Sequence, residues 1–254
     1  MTIEAVAFAT GTLLVGSPVF DVAGSLLLID LNGGVETDRR GVFQVPKTMP
    51  FDTNCEAYDD WFEKNRDVYE VELEAVRRLL PPKGAHGVEV GVGTGNFAVP
   101  LGVRMGVEPS ESMARKARKR GVTVYSGVAE DLPFSDGTFD FVLMVTAICF
   151  FDDVARSFAE AFRVLKTGGC IIVAFLDRGS QLGSRYHEKR AESRFYRDAT
   201  FYSAPEVLRF LEEAGFGQTK IRQALIPGEP LETIRDGFGA GAFVVIRSEK
   251  PGKG

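Results

Sequence analysis

The stretch "GVEVGVGTGNFAVP", residues 87–100, decides the fold of this chain. A short apolar run leads into three glycines at alternate positions, Gly91, Gly93 and Gly95, and an apolar segment with helical spacing follows. A strand, a glycine-rich turn and a helix in that order form a cradle for a phosphate or a nucleotide in open parallel sheets. Glycine has no Cβ and tolerates positive φ, so its backbone can come close to a ligand. The stretch therefore predicts a nucleotide-type site at the end of a parallel strand.

Length and composition restrict the class of protein. The chain has 254 residues, of which 44% are hydrophobic and 26% charged, as in ordinary globular proteins. A net charge of −5 gives no global field that would attract nucleic acid or an anionic membrane. No apolar run approaches the roughly 18 residues of a membrane span. The three cysteines lack metal-type spacing and indicate a reducing compartment. We therefore expect a cytoplasmic protein with no metal site and no membrane partner.

Residues 1–48 differ from the rest of the chain and predict a small β-rich extension of two to four short strands. Residues 25–34, "SLLLIDLNGG", end in the hairpin signal Asn32-Gly33, and "GVFQVP" at residues 41–46 offers a partner strand. Two interpretations remain open: an edge extension of the main domain at 49–254, or sequence upstream of a second start at Met49. No basic residue precedes the apolar segment near the N-terminus, which argues against a signal peptide. The role of the extension is not predicted.

Residues 54–80 carry apolar side chains at close to helical spacing and predict one helix. Asp52 or Asn54 would cap its start, and Pro81-Pro82 would end it. This helix would cover one face of a sheet, or its aromatic side chains would form a lid over a ligand. The candidates for such a lid or for substrate contacts are Tyr58, Trp61 and Phe62.

A second acidic position follows the next strand. Residues 103–107 form a short apolar strand, and Glu108 follows it 19 residues after Glu89. Nucleotide-binding units of parallel sheets carry an acidic residue at about this distance, because a carboxylate accepts from both ribose hydroxyls. The alternative is an exposed glutamate at a strand end.

Ser110 predicts the cap of the helix that follows. The basic run at residues 115–120 of this helix indicates a solvent-exposed face and not a nucleic-acid contact.

Three further segments complete the predicted sheet. "FDFVLMV", residues 139–145, is a continuous apolar run typical of a central strand that is covered on both faces. The segments "QTKIRQALI" and "GAFVVIR", residues 218–226 and 241–247, predict an antiparallel pair at one sheet edge, because no clear helix separates them. A second G-x-G-x-G, residues 237–241, leads into a strand and therefore predicts a loop and not a second site.

Residues from about 50 to 249 resemble the class I S-adenosylmethionine-dependent methyltransferases, in the type 11 branch typified by ubiquinone and menaquinone biosynthesis. Five motifs carry the resemblance in the family's order: "VEVGVGTG", "VEPSESM", "AEDLPFSDGTFDFVLMV", "RVLKTGG" and "AGF". The resemblance implies an α/β, Rossmann-like, doubly wound sheet of seven strands with the last strand antiparallel. It also implies that S-adenosylmethionine lies across the strand ends.

The resemblance implies a set of cofactor-binding residues. They are Glu89, Gly91, Gly93 and Gly95 around the methionine moiety and ribose, Glu108 at the ribose hydroxyls, Met113 on the adenine, Ala129 and Glu130 at the adenine edge, and Thr146 near the methionine part. Pro109 belongs to the same set, with no particular contact implied. Val128 stands where many relatives carry Asp, which leaves the adenine contacts there to the backbone or to Glu130. An NAD fingerprint would want glycine at position 96, where this chain has Asn96.

The implied reaction is direct displacement of the sulfonium methyl group by a small-molecule acceptor. A tRNA or protein acceptor, which would need a basic face beside the cofactor, and a non-catalytic cofactor-binding protein remain the alternatives. No catalytic residue is predicted, and whether a general base is used stays open. The candidates for a base or a substrate contact are Tyr58, Asp177, His187 and Tyr202, each with a packing role as the alternative. Phe and Tyr residues at 150, 151, 195, 196, 201 and 202 suggest a partly apolar pocket. The acceptor and the oligomeric state are left open.

Overall fold

The computed structural model describes residues 48–252 and three short strands nearer the N-terminus. The chain divides into two compact units, residues 1–45 and 46–254. In the first unit the antiparallel order is β1–β2–β3, with β1 at Val19–Phe20, β2 at Leu26–Ile29 and β3 at Val35–Glu36. The predicted turn at Asn32-Gly33 and the strand at 41–46 lie outside the described residues. The role of this segment and its boundary at residue 48 stay predictions.

The second unit is built on an eight-stranded sheet with the order β10–β9–β11–β8–β7–β4–β5–β6. Its strands are β4 (Gly87–Val90), β5 (Met105–Val107), β6 (Thr123–Tyr125), β7 (Phe139–Val145), β8 (Leu165–Leu176), β9 (Gly217–Ala224), β10 (Arg235–Asp236) and β11 (Phe243–Glu249). Strands β4 to β8 are parallel, and β11 is antiparallel to both β8 and β9. The Rossmann-like fold and the antiparallel last strand are confirmed. The eighth strand, β10, adds two residues to the β9 edge.

Seven α-helices are described. They are α1 (Met49–Lys64), α2 (Arg66–Arg77), α3 (Ala98–Leu101), α4 (Glu111–Lys119), α5 (Val154–Val164), α6 (Gln181–Glu188) and α7 (Ala204–Glu213). The single helix predicted over residues 54–80 was wrong, because Asn65 leaves the helical conformation and separates α1 from α2. Asp52 does not cap α1, whose N-cap is Thr48; its carboxylate accepts from the Ser110 hydroxyl instead. The apolar period continues across the break, so the pattern alone could not show it.

Both faces of the sheet are buried, and β7 shows this most clearly. Phe139, Val142 and Met144 pack into one core cluster with α5 and α7. Phe141, Leu143 and Val145 pack into the other with α2. A strand covered on both faces reads as a continuous apolar run, as the sequence predicts. Because helices occupy both faces, the carboxyl ends of the parallel strands remain as the open edge of the sheet.

In the part of the chain that the structure describes, no helix combines the length and the apolar character needed to cross a membrane.

Candidate functional site

A cavity of about 570 Å³ opens at the carboxyl ends of four parallel strands. Gly91 follows β4, Glu108 follows β5, Thr146 follows β7, and Leu176 ends β8, and all four residues line this cavity. In open parallel sheets, ligands bind at this edge, where the strand order reverses on either side of the first strand. The fold therefore brings the sequence-predicted positions 91, 108 and 146 to one place.

The three glycines of the loop after β4 have different surroundings. All three have positive φ: +73° at Gly91, +54° at Gly93 and +84° at Gly95. A Cβ on Gly93 would lie 3.4 Å from the Tyr58 hydroxyl, so this backbone faces the cavity directly. Gly95 instead packs against Ala117 of α4 and does not line the cavity. The structure thus places Gly91 and Gly93 at the ligand space and Gly95 behind it.

Glu108 is buried and closes one end of the cavity. Its Oε2 accepts a 2.8 Å hydrogen bond from the Gly93 amide, and its Oε1 accepts a 2.9 Å bond from the Ser110 amide. Burial raises its pKa to about 7, although both amide hydrogen bonds act in the opposite direction. Each carboxylate oxygen can accept a further hydrogen bond. Pro109 and Met113 line the cavity beside it.

Glu89 ends up beneath the glycine loop as a second buried carboxylate. Its Oε2 has no hydrogen-bond partner among the described residues, while the carboxylate accepts from the Ala98 amide. Burial, and then the charge of Glu108, raises its pKa well above the ordinary value. A buried acceptor without a partner is rare in folded proteins. Glu89 itself does not line the cavity, which Val90 and Gly91 border directly after it.

Ala129, Glu130 and Val128 line the cavity on the side of the loop after β6. The Glu130 carboxylate is already engaged, because its Oε1 accepts from the amides of Asp152 (2.8 Å) and Asp153 (3.1 Å) at the start of α5. Because Glu130 Oε1 already accepts these two amides, the backbone of residues 128 and 129 remains for polar contacts with a ligand on this side of the cavity.

Thr146 lines the cavity with a φ of +49°. This conformation is strained for a β-branched residue. The Thr146 amide donates a 2.7 Å hydrogen bond to the Ala174 carbonyl, which holds the turn after β7 in place. Leu225, at φ +56°, also lines the cavity. Strained residues of this kind are concentrated at binding sites, where the surrounding structure fixes them.

Helix α1 supplies the aromatic side of the cavity through Tyr58, Trp61 and Phe62. Their role as a lid or as substrate contacts stays a prediction. Further rings continue this wall. They are Phe51, Phe150, Phe151, Phe195 and Tyr196. Phe51 is in edge contact with Phe150 at 4.8 Å and stacks on Phe195 at 5.7 Å between ring centroids. Of the residues expected to form an apolar pocket, Phe201 and Tyr202 do not line this cavity and instead line a separate small one.

Three candidates for a base lie outside the lining of this cavity. Asp177 is fully buried, and its Oδ1 accepts from the amides of Gly179 (2.8 Å) and Ala204 (3.0 Å), which fixes the turn before α7. His187 packs against the Phe201 ring. Tyr202 lines a separate small cavity. Tyr58 is therefore the member of this set that lines the large cavity.

Sequence reasoning missed Glu72. This residue of α2 is buried, at 6% exposed, and lines the large cavity. A signal was present, because Val68, Glu72 and Val76 follow one another at helical spacing and place a carboxylate within an apolar stripe.

A Rossmann-like sheet with a glycine loop and a strand-end carboxylate defines the class of nucleoside-cofactor-binding α/β proteins. A family model described as a methyltransferase domain matches residues 88–173. A crystal structure of an S-adenosylmethionine-dependent methyltransferase from Thermotoga maritima, designated a possible histamine N-methyltransferase, superposes with a TM-score of 0.77 at 48% identity. That match covers 80% of this chain and 99% of the other.

Two curated relatives extend the comparison. An uncharacterized protein of Methanocaldococcus jannaschii is 45% identical over 203 residues, which are 79% of this chain and 98% of the relative. A demethylmenaquinone methyltransferase of Symbiobacterium thermophilum is 36% identical over 104 residues, 35% of this chain and 41% of the relative. The chain belongs to the S-adenosylmethionine-dependent methyltransferases of the type 11 family, and the predicted resemblance is confirmed.

The cavity fits the cofactor of this family. Glu108 lines the cavity and keeps acceptor capacity on both oxygens for two hydroxyl groups. Glu89 precedes the glycine loop but does not line the cavity, although one of its oxygens has no hydrogen-bond partner among the described residues. Gly93 leaves room where a side chain would stand. S-adenosylmethionine carries a ribose whose two hydroxyl groups can donate to Glu108, and this acceptor at the glycine loop corresponds to it.

Proposed function

We propose that this methyltransferase transfers the methyl group of S-adenosylmethionine to a small-molecule acceptor by direct displacement. One observation carries the proposal: a single cavity of about 570 Å³ contains both the glycine-loop end and the aromatic wall of α1. Cavities of this order hold small ligands that are largely enclosed. Cofactor and acceptor would therefore meet inside one space, shielded from water.

Individual cofactor contacts follow from the geometry. Glu108 would accept from the ribose hydroxyls, and Glu89, with the backbone of Gly91 and Gly93, would hold the methionine part. The adenine would lie against Met113 and Pro109 and against the backbone of Ala129, with the Glu130 carboxylate fixing that loop. Thr146 would border the methionine part. Gly95 would act from behind the loop, by allowing α4 to approach.

When bound, S-adenosylmethionine supplies an electrophilic methyl group. The protein's contribution is alignment, since holding donor and acceptor in line removes much of the entropy cost of the reaction. The rings of Tyr58, Phe62 and Phe195 would hold the acceptor and exclude water, because they lie around one side of the cavity.

The charge of the lining favours a small molecule over tRNA. A tRNA acceptor would need a basic face beside the cofactor, yet the cavity is lined by one basic residue, Arg185, and five acidic ones. The Thermotoga maritima protein is designated a possible histamine N-methyltransferase and the Symbiobacterium thermophilum protein a demethylmenaquinone methyltransferase, and both names refer to small acceptors.

The test is a methyl-transfer assay with radiolabelled S-adenosylmethionine and three sets of acceptors: small amines, phenols and quinols, then bulk tRNA, then denatured protein. We expect label in small molecules alone. Label in tRNA or protein alone would contradict the proposal. Binding of S-adenosylhomocysteine without transfer to any acceptor would favour a non-catalytic binding protein.

A further inference from the structure

Glu72 is a carboxylate held inside the large cavity without a charged or hydrogen-bonded partner among the described residues. Glu72 is 6% exposed and lies on the side of α2 that lines the cavity. Val68 lies one helical turn before it and also lines the cavity, as do Phe62 and Leu225. Removing a carboxylate from water into apolar surroundings is costly unless a partner compensates. An unpartnered carboxylate at a ligand cavity therefore indicates a partner on the ligand.

Two hydroxyl groups face the same space as Glu72. Burial raises the pKa of both Tyr58 and Tyr196, and the negative charge of Glu72 adds to the effect at each. A Cβ on Gly93 would lie 3.4 Å from the Tyr58 hydroxyl, so Tyr58 lies beside the glycine loop, and it lines the same cavity as Glu72. Glu72 is thus within electrostatic reach of Tyr58, the ring that lies beside the glycine loop.

The other ionisable side chains that line the cavity favour a positively charged ligand, because most of them are acidic. The other titratable groups that line it are Glu108, Glu130, Asp152, Arg185, Tyr186 and Glu229. Glu229 is paired with Arg235 at 2.6 Å, and both Glu108 and Glu130 accept backbone amides. Among these four glutamates, Glu72 is the one with neither an ion pair nor a hydrogen bond to the described residues. Aromatic faces around a cavity also favour ammonium groups.

We propose that Glu72 binds the ammonium group of a small amine acceptor and takes up the proton that this amine must lose before it is methylated. The inference rests on the proposed function, because it names the acceptor class for the same cavity. It makes Glu72 a catalytic residue that contacts the substrate.

The step balances in atoms and charge. The protonated amine gives one proton to the Glu72 carboxylate and becomes neutral. The nitrogen lone pair then forms the nitrogen–carbon bond while the sulfur–carbon bond breaks, and its electron pair stays on sulfur. The products are a protonated N-methylamine, S-adenosylhomocysteine and a protonated Glu72, which returns its proton to water. Burial raises the pKa of Glu72 to about 8 in the ligand-free protein. A bound ammonium group favours the ionised carboxylate, so Glu72 meets the amine as a carboxylate and can accept one proton from it near neutral pH.

The experiment compares the wild type with Glu72→Gln, using Glu74→Gln as the matched control. Glu74 lies on the same helix, but it does not line the cavity, and its carboxylate is paired with Arg77 and Arg78. The acceptors are phenethylamine, tyramine and histamine, with 2-phenylethanol and phenylacetate as matched compounds that lack the amine. We expect N-methylated products from amines alone. We also expect Glu72→Gln to lower kcat/KM about 100-fold, with unchanged affinity for S-adenosylhomocysteine and unchanged activity in Glu74→Gln.

A second readout keeps the test independent of turnover. Thermal unfolding of the complex with S-adenosylhomocysteine should show stabilisation by an amine in the wild type and in Glu74→Gln but not in Glu72→Gln. Methylation of the alcohol or the carboxylate in preference to the amines would overturn the inference and leave the proposed function standing. Absence of both amine binding and amine methylation would also overturn it. Transfer to tRNA or protein alone would instead overturn the proposed function itself.

Discussion

The Thr94 hydroxyl donates a 2.6 Å hydrogen bond to the Asp59 carboxylate and so joins the glycine loop to helix α1. Asp59 also accepts from Lys116 at 3.0 Å and pairs with Arg120 at 3.0 Å, which brings α4 into the same network. Burial alone would raise the pKa of Asp59, but the hydrogen bonds from Thr94, Lys116 and Arg120 hold it below its usual value. Helix α1 is therefore fixed to the glycine loop.

Thr94→Val should loosen this connection while preserving the shape of the side chain. Loss of one hydrogen bond to a partly buried carboxylate should lower the free energy of unfolding by about 1–2 kcal/mol. The affinity for S-adenosylhomocysteine should fall several-fold, because α1, which lines the cavity, is less well positioned. Chemical denaturation and calorimetry measure the two effects. Thr53→Val, which removes an exposed hydroxyl bonded to the Met49 carbonyl on the same helix, is the control. Equal effects from the two variants would show that the Asp59 network has no special role.

Glu108→Ala should weaken S-adenosylhomocysteine binding about 100-fold, because two charge-assisted hydrogen bonds to ribose would be lost. Calorimetry measures the dissociation constant, and circular dichroism checks the fold. Glu111→Ala, an exposed position paired with Arg118, should leave binding unchanged. An unchanged affinity in Glu108→Ala would remove the ribose assignment.

The stability of the ligand-free protein should fall as pH rises from about 5 to 8. Burial raises the pKa of Glu108 to about 7 and that of Glu72 to about 8. These acids bind protons more tightly in the folded state, so their contribution is full below the unfolded pKa of about 4.3 and is lost as pH rises through the folded value. At about 1.4 kcal/mol per pKa unit, Glu72 alone accounts for up to about 5 kcal/mol.

The same measurement isolates Glu72. Denaturation of Glu72→Gln between pH 5 and 9 should give a flatter stability profile than the wild type, with the variant more stable than the wild type at pH 9. A wild-type profile that rises steadily through this range would contradict the assignment of Glu72 as a buried acid without a partner.

Trp61→Ala should impair the acceptor and spare the cofactor. The Trp61 side chain lines the cavity but is 40% exposed, so truncating it should change the free energy of unfolding by less than about 1 kcal/mol. We expect the acceptor KM to rise by about tenfold with an unchanged dissociation constant for S-adenosylhomocysteine. Phe238→Ala, at 42% exposed and away from the cavity, is the control. A loss of cofactor affinity without a change in KM would place Trp61 at the cofactor end.

Features set by local sequence were predictable. Strand β7 was predicted residue for residue, because burial on both faces leaves an uninterrupted apolar run. The cap at Ser110, whose side chain accepts from the Met113 amide, depends on four consecutive residues. Glu108 could be found because it follows a strand at a fixed distance from the glycine loop.

Features set by tertiary packing were not predictable. Glu72 becomes notable only when α2 is placed against the cavity, and Glu130 only when the loop before α5 folds over its carboxylate. Asp177 was a reasonable candidate for a base at a strand end, but the amide of Ala204, 27 residues further along the chain, joins the local amide of Gly179 at its Oδ1. In each case the deciding partner is distant in the sequence.

The most direct test of the central claim is a crystal structure of the complex with S-adenosylhomocysteine. The claim is that the large cavity holds the cofactor at its glycine-loop end and the acceptor toward Glu72. We predict both ribose hydroxyls within about 3 Å of the Glu108 carboxylate, with the sulfur atom facing the space between Tyr58 and Glu72. An adenosyl group bound outside this cavity, or a ribose without contact to Glu108, would contradict the account.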